Sequence, residues 1–352
     1  MPAVVGWPVM PAARPAPDDS APDWAQLPDM LRVHAFAALE PGPRLMVLGG
    51  VHGDETCGSV GIARVLQELD AGQLALLRGQ LTLVPVANPL ARRQRTREGE
   101  RNLNRLFQPT PAGQVPADYE ARITDLLCPL LDRHEVLLDL HSFQSAGEAF
   151  AMIGPRDNTG TLEPFARARE EGRLALHLGT PRVVEGWLDI YAAGLAQRAG
   201  GVAVDESAVD FGRGTNEYMR SRGGYGVTLE CGQHQDPAAP EVAYRAILAA
   251  LRLLGMLAPD PGAAPPARPQ LLRLVSVTDR LHADDRFARE WATFDPVGRD
   301  ELVGWRADGR EGGGRTGSGA IMPSSRSVER IAACATSGAA GSSCCPHSSV
   351  TP

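Results

Sequence analysis

The stretch MVLGGVHGDET, residues 46–56, decides how the chain is read. An apolar run, Met46 to Leu48, meets Gly49 and Gly50, and the chain then presents His52 and Glu55. Such a run ending in paired glycines reads as a buried strand breaking into a tight turn. An imidazole and a carboxylate three residues apart can both reach one zinc ion, leaving its other positions for distant ligands and water. The same text also reads as a loop in which Asp54 or Glu55 caps a helix starting near Gly58. A bare H-x-x-E pattern recurs by chance in a chain of this length.

Two other stretches share the grammar. VLLDLHSFQ, residues 136–144, is an apolar strand that presents His141 at its end. Asp139 lies two residues earlier, on the same face of a regular strand, where it could orient His141 as a partner carboxylate. A core histidine with a satisfied hydrogen bond is the plainer reading. YGVTLECGQH, residues 225–234, is a strand that ends in Glu230. A carboxylate there is costly without a task or a partner, and one of the many arginines could be that partner. Taken together, the three strands each carry a His or Glu at the C-terminal end, the edge at which open α/β sheets bind ligands. Two His and one Glu make a catalytic zinc set with an open fourth position, and a further Glu can activate water.

Around these stretches the texture is that of an α/β protein with a mixed, mostly parallel sheet flanked by helices. Strands are expected at 32–37, 45–51, 81–86, 136–140, 149–153 and 226–230, and helices at 58–70, 117–134, 162–178, 187–198 and 240–257. Within 117–134, Ile123, Leu126, Leu127, Leu130 and Leu131 follow the spacing of one buried helix face. Residues 1–29 read as a flexible leader, and 30–258 as the catalytic domain. PDPGAAPPARP, residues 259–269, opens a stiff linker over 259–270. Short strands at 271–277, 287–294 and 301–305 suggest a small C-terminal all-β appendage, residues 271–311, that is incomplete.

From Gly309 onward large apolar residues almost vanish, and 312–352 reads as a low-complexity tail. Its text, from GGGRTGSGA to SSCCPHSSVTP, is what a GC-rich gene gives when read out of frame. A genuine disordered tail is the competing reading.

Composition excludes several classes. The 352 residues are 43% apolar and 22% charged, which suits a globular chain. A net charge of −7 disfavours nucleic acid as the main partner. No apolar run is long enough to span a membrane, and no membrane partner is expected. All 35 basic residues are arginine, which we read as codon bias. The six cysteines show no zinc-finger or redox spacing, and a reduced, cytoplasmic protein is the expectation.

NPLARRQRTREGERNLNRLF, residues 88–107, places six arginines between Arg92 and Arg105. Arg92, Arg93 and Arg95 read as a solvated loop. Arg97, Asn104 and Arg105 are suited to holding an anionic substrate and polarising a carbonyl, because guanidinium forks and amides bind carboxylates directionally.

With these residues assembled, the chain resembles the succinylglutamate desuccinylase/aspartoacylase family of carboxypeptidase-A-like zinc hydrolases. The resemblance rests on His52-Gly-Asp-Glu55, Thr96-Arg97, Asn102-Leu-Asn-Arg-Leu-Phe107, Asp139-Leu-His141 and Leu229-Glu230. It covers about 31–257 and, more loosely, 271–308. It implies a zinc-carboxypeptidase-like fold and one zinc ion per chain, held by His52, Glu55 and His141. It implies Glu230 as general base and later proton donor, and Arg97 as the oxyanion stabiliser. Asn104 and Arg105 would grip a substrate carboxylate. Some members place a substrate-binding tyrosine in the C-terminal β region, whereas this chain has no tyrosine after Tyr244. The expected activity is hydrolysis of an amide or ester bond in a small anionic acylated substrate. The alternatives are a carboxypeptidase acting on short peptides and a non-catalytic zinc- or anion-binding protein. The acyl group and the oligomeric state are not legible.

Overall fold

The computed structural model describes residues 30–155, 165–198, 210–262, 268–278, 282–298, 301–309, 311–312, 319–322 and 332–337. The expected leader, most of the tail and the start of the helix expected at 162–178 lie outside the described residues.

The strands of the region 30–258 are β1 (His34–Ala37), β2 (Arg44–Leu48), β3 (Gln80–Val84), β4 (Val136–Phe143), β5 (Phe150–Met152), β6 (Arg182–Glu185) and β7 (Tyr225–Gln233). Its helices are α1 (Cys57–Asp70), α2 (Pro89–Gln94), α3 (Tyr119–Leu131), α4 (Ala168–His177), α5 (Trp187–Arg198), α6 (Thr215–Ser221) and α7 (Ala239–Leu253). The spatial order is β1-β3-β2-β4-β7-β5-β6. Strands β3, β2, β4 and β7 are mutually parallel, while β1 and β5 join antiparallel to their neighbours β3 and β7. The mixed sheet with flanking helices is therefore as the sequence implies.

Strand alternation builds two cores. Leu45 and Val47 of β2, Leu138 and Leu140 of β4, and Val227 and Leu229 of β7 face α1, α4 and α7. Met46 and Leu48, with Leu137, face α3 and Met219 of α6. Asp139, His141 and Glu230 thus point to the α3–α6 side, because a strand repeats every two residues. The ladder pairs Leu48 with Asp139 and His141 with Glu230, which brings three strand ends to one edge.

Among the described residues of this region, three elements were not anticipated. Strand β6 and helix α6 are short, and α2 falls in the arginine-rich segment. Helix α2 begins at Asn88, whose side chain accepts from the Ala91 N–H, and ends at Arg95 with φ 56°. Arg93 and Arg95 are exposed, as a solvated segment requires, but Arg92 is half-buried and donates to Gly53 O at 3.1 Å. The reading of Arg92 as solvated loop is corrected.

Beyond the proline-rich segment come β8 (Gln270–Thr278), β9 (Arg286–Phe287), β10 (Pro296–Val297), β11 (Gly304–Trp305), β12 (Glu311–Gly312), β13 (Gly319–Met322) and β14 (Ala332–Ser337). Strand β8 pairs in parallel with β6 and so extends the main sheet. The strand expected over 287–294 is confined to β9 at its start, and Phe294 takes φ 71°. Among the described residues, no helix is long and apolar enough to cross a membrane.

Candidate functional site

The loop after β2 is shaped by close approach. A Cβ on Gly53 would lie 2.0 Å from the Ala91 carbonyl carbon in α2, so only glycine lets this loop seat against that helix. His52 and Glu55, on either side, are both buried. His141 enters from the end of β4, and these three side chains form a group whose ligand atoms lie within 4.8 Å of one another.

The atoms face inward in a particular way. His52 Nδ1 lies 2.8 Å from Glu55 Oε1, and His141 Nδ1 lies 2.8 Å from Glu55 Oε2. The two Nδ1 atoms are 3.2 Å apart. Two N–H groups cannot point at each other at that distance, so at least one Nδ1 offers a lone pair. Two imidazole nitrogens and a carboxylate converging on one point suit a divalent cation, and His and Glu are ordinary zinc donors. Ser142 N donates to Glu55 Oε2 at 3.1 Å, and Arg97 Nη1 donates to Glu55 Oε1 at 2.8 Å.

The backs of both imidazoles are also held. His52 Nε2 lies 3.1 Å from Asn102 Oδ1. His141 Nε2 lies 3.0 Å from Asp139 Oδ2, an ion-pair approach without the alignment of a formed hydrogen bond. Asp139 Oδ2 in turn accepts from Thr215 Oγ1 at 2.5 Å. Asp139 therefore lies behind His141, on the side away from Glu55.

Electrostatics separate the two glutamates. Burial works to raise the Glu55 carboxyl, but the two histidines and the hydrogen bonds they make hold it well below the usual range. Burial, and then the Glu55 charge, push Glu230 up to about 8. Its Oε2 is buried and has no hydrogen-bond partner among the described residues. Burial and the Arg97 guanidinium bring His52 down to about 4. Burial also works to lower His141, yet Asp139 and Glu55 overcome it and hold the ring well above the ordinary value.

Arg97, Asn104 and Arg105 lie in the segment between α2 and α3. Glu120, in the first turn of α3, is fully buried and gathers this loop. Its Oε1 accepts from Asn88 Nδ2 at 2.9 Å and from Gly99 N at 3.1 Å, and its Oε2 from Arg101 N at 3.1 Å. Asn104 commits its Oδ1 to Thr215 N at 2.9 Å, which leaves its Nδ2 as the group able to reach an anion. Arg105 is half-buried, its guanidinium 5.0 Å from the centre of the Trp187 ring. Sequence reading assigned no role to Asn102, Glu120, Ser142, Thr215 or His234. Only Asn102 carried a signal, its place in the NLNRLF motif.

Asp54, Glu55 and His234 form a second group of ligand types. Both Glu55 oxygens already serve the first group, so the second has no carboxylate of its own but Asp54. A cleft of about 280 Å³ beside Leu106 and Tyr218 touches none of the ligand residues. Its arginines face acids, with Arg222 Nε 2.8 Å from Asp132 Oδ1 and Arg213 Nε 3.0 Å from Asp210 Oδ1.

Comparison with known proteins bears on this geometry. Residues 41–168 match the model of the succinylglutamate desuccinylase/aspartoacylase catalytic domain. An N-alpha-acetyl-L-2,4-diaminobutyric acid deacetylase of Halomonas elongata is 35% identical over 105 residues, 29% of this chain and 29% of the relative. The chain thus matches less than a third of that curated relative's length. The product-bound ectoine utilization protein EutE (DoeB) of Ruegeria pomeroyi has a similar fold, with TM-score 0.64 and 20% identity over 87% of this chain and 88% of that one. A succinylglutamate desuccinylase/aspartoacylase of Rhodobacter sphaeroides gives TM-score 0.61 and 16% identity, covering 85% and 87%. Residues 41–168 are thus similar to the succinylglutamate desuccinylase/aspartoacylase catalytic domain, and the fold is similar to that of solved structures carrying that description.

Proposed function

We propose that the protein is a zinc-dependent deacylase that hydrolyses the amide bond of a small anionic N-acyl amino acid. The observation that carries this reading is the convergence of His52 Nδ1, His141 Nδ1 and the Glu55 carboxylate, with Glu230 opposite His141 on the next strand. His52, Glu55 and His141 would hold one zinc ion. When bound, zinc supplies Lewis-acid polarisation of water and of the scissile carbonyl. Glu230, held high by burial and by Glu55, accepts a proton from the attacking water and returns it to the leaving amine. Arg97 lies at the Glu55 edge of the site, where its guanidinium can stabilise the developing oxyanion. Asn104 Nδ2 and Arg105 grip the substrate carboxylate.

The deacetylase named above and the matched family favour an amide bond over an ester. Cys57, Cys128 and Cys231 are buried and free, which supports a reducing, cytoplasmic setting.

The test is zinc content together with amine release from a panel. The panel holds N-acetyl-diaminobutyrate, N-acetylaspartate, N-succinylglutamate, an acyl ester and short peptides. Zinc-dependent amine release from an N-acyl amino acid supports the reading. Cleavage of peptides alone would replace it with a carboxypeptidase, and tight zinc without any cleavage would replace it with a binding protein.

A further inference from the structure

The backs of the two histidines belong to one chain of contacts. Asn102 Oδ1 accepts from Asn104 N at 2.9 Å and faces His52 Nε2 at 3.1 Å. Asn104 Oδ1 accepts from Thr215 N, and Thr215 Oγ1 donates to Asp139 behind His141. The path therefore runs from His52 to His141 through a residue expected to bind substrate.

Its first link decides a proton position. An asparagine amide can present either oxygen or nitrogen, and the assignment must come from its partners. Asn104 N is a backbone donor, so the Asn102 atom that faces it must be the oxygen. That same oxygen faces His52 Nε2, which must then carry the hydrogen. In a neutral imidazole the other nitrogen, Nδ1, is left with the lone pair, and Nδ1 is the atom turned toward Glu55 and His141.

We propose that Asn102 is a positioning residue: its amide oxygen, oriented by the Asn104 N–H, sets His52 in the Nε2–H tautomer and aims Nδ1 at the metal position. The inference rests on the zinc reading above and adds to it how the chain prepares that ligand and ties it to the substrate loop. An amide does this without adding negative charge beside His52, unlike Asp139 behind His141.

The test uses the full chain with zinc alone as the probe. Zinc affinity is measured by chelator competition for wild type, Asn102→Ala and Asn102→Asp. Partners of this kind typically contribute about 10–100-fold in metal affinity. Asn102→Ala is expected to lose about that much, and Asn102→Asp, which keeps an acceptor for both donors, is expected to restore it. In zinc-loaded wild type, nitrogen NMR of the His52 ring is expected to show a protonated Nε2 and a metal-bound Nδ1. That measurement stands even where Asn102→Ala fails to fold. Equal zinc affinity in wild type and Asn102→Ala, no recovery in Asn102→Asp, or a His52 ring bound through Nε2 would each overturn the inference alone. A wild type that binds no zinc would instead overturn the zinc reading, and this inference with it.

Discussion

Glu55 meets His141 Nδ1 and Glu230 is its partner on the next strand, and their surroundings drive the two carboxylates apart in character. Glu55 is surrounded by donors and stays ionised, while Glu230 is held up to about 8 by burial and by Glu55 itself. Such divergence is how acid and base roles are divided within one site. Glu230→Gln keeps the shape and removes the proton acceptor. It is expected to leave zinc content unchanged and to lower turnover by about 10²–10⁴-fold. Turnover within a few-fold of wild type would remove Glu230 from that role. The raised value also has a stability consequence. An unfolded glutamate titrates near ~4.3, so between that and about 8 the folded state binds more protons than the unfolded state. The stabilising contribution is complete below the unfolded value and is lost as pH rises toward about 8. Chelator-treated wild type is therefore expected to lose more stability than Glu230→Gln between about pH 5 and about pH 8. Urea unfolding of both proteins at the two pH values checks this, and parallel losses would contradict it.

At the scale of elements, the site depends on how the loop after β2 meets α2. The Cβ contact at Gly53 would fall on backbone, which cannot rotate away as a side chain can. Gly53→Ala is expected to displace the loop, lower stability by about 1–3 kcal/mol and weaken zinc binding. Denaturant unfolding and chelator competition on the same variant are the measurements. Retention of wild-type stability and affinity would show that α2 does not seat the loop. Glu120 acts on a neighbouring element in the same spirit. It replaces water for the N–H groups of Gly99 and Arg101, donors that a loop of this shape would otherwise leave unpaired. Farther out, Arg220 of α6 makes a two-point ion pair with Glu171 of α4, and the Gly226 N–H of β7 adds a third bond to that carboxylate. This buried junction holds the strand that delivers Glu230.

For the whole molecule, the proposed metal joins parts of the chain that are distant in sequence, since His52 and His141 are 89 residues apart. A ligand that binds only the folded state stabilises it by mass action, by about 4 kcal/mol at free concentrations near 1,000 times Kd. Zinc-loaded protein is expected to unfold at clearly higher denaturant than protein stripped by a chelator. Identical midpoints would mean that the three ligands do not hold a metal in the folded state. The proposed division into a catalytic region, 30–258, and a C-terminal β region, 271–311, meets a sheet common to both, because β8 pairs with β6. Phe294 of the later region packs with Phe150, Val184 and Leu272.

The strands that carry His141 and Glu230 were legible in the sequence because buried parallel strands are written as continuous apolar runs, in which a single charged residue stands out. The candidate ligand types and their place near strand ends were read from the same text. Strand β6 and helices α2 and α6 were missed because each is too short for periodicity to declare itself. Asn102, Glu120 and Thr215 were given no role for a different reason: they act through partners distant in sequence, and polar residues of their kind are common in loops. Sequence determined which groups could do chemistry. Only the tertiary structure decided which nitrogen of each histidine faces the proposed metal position, because that choice is made by hydrogen bonds between segments that meet nowhere but in the fold.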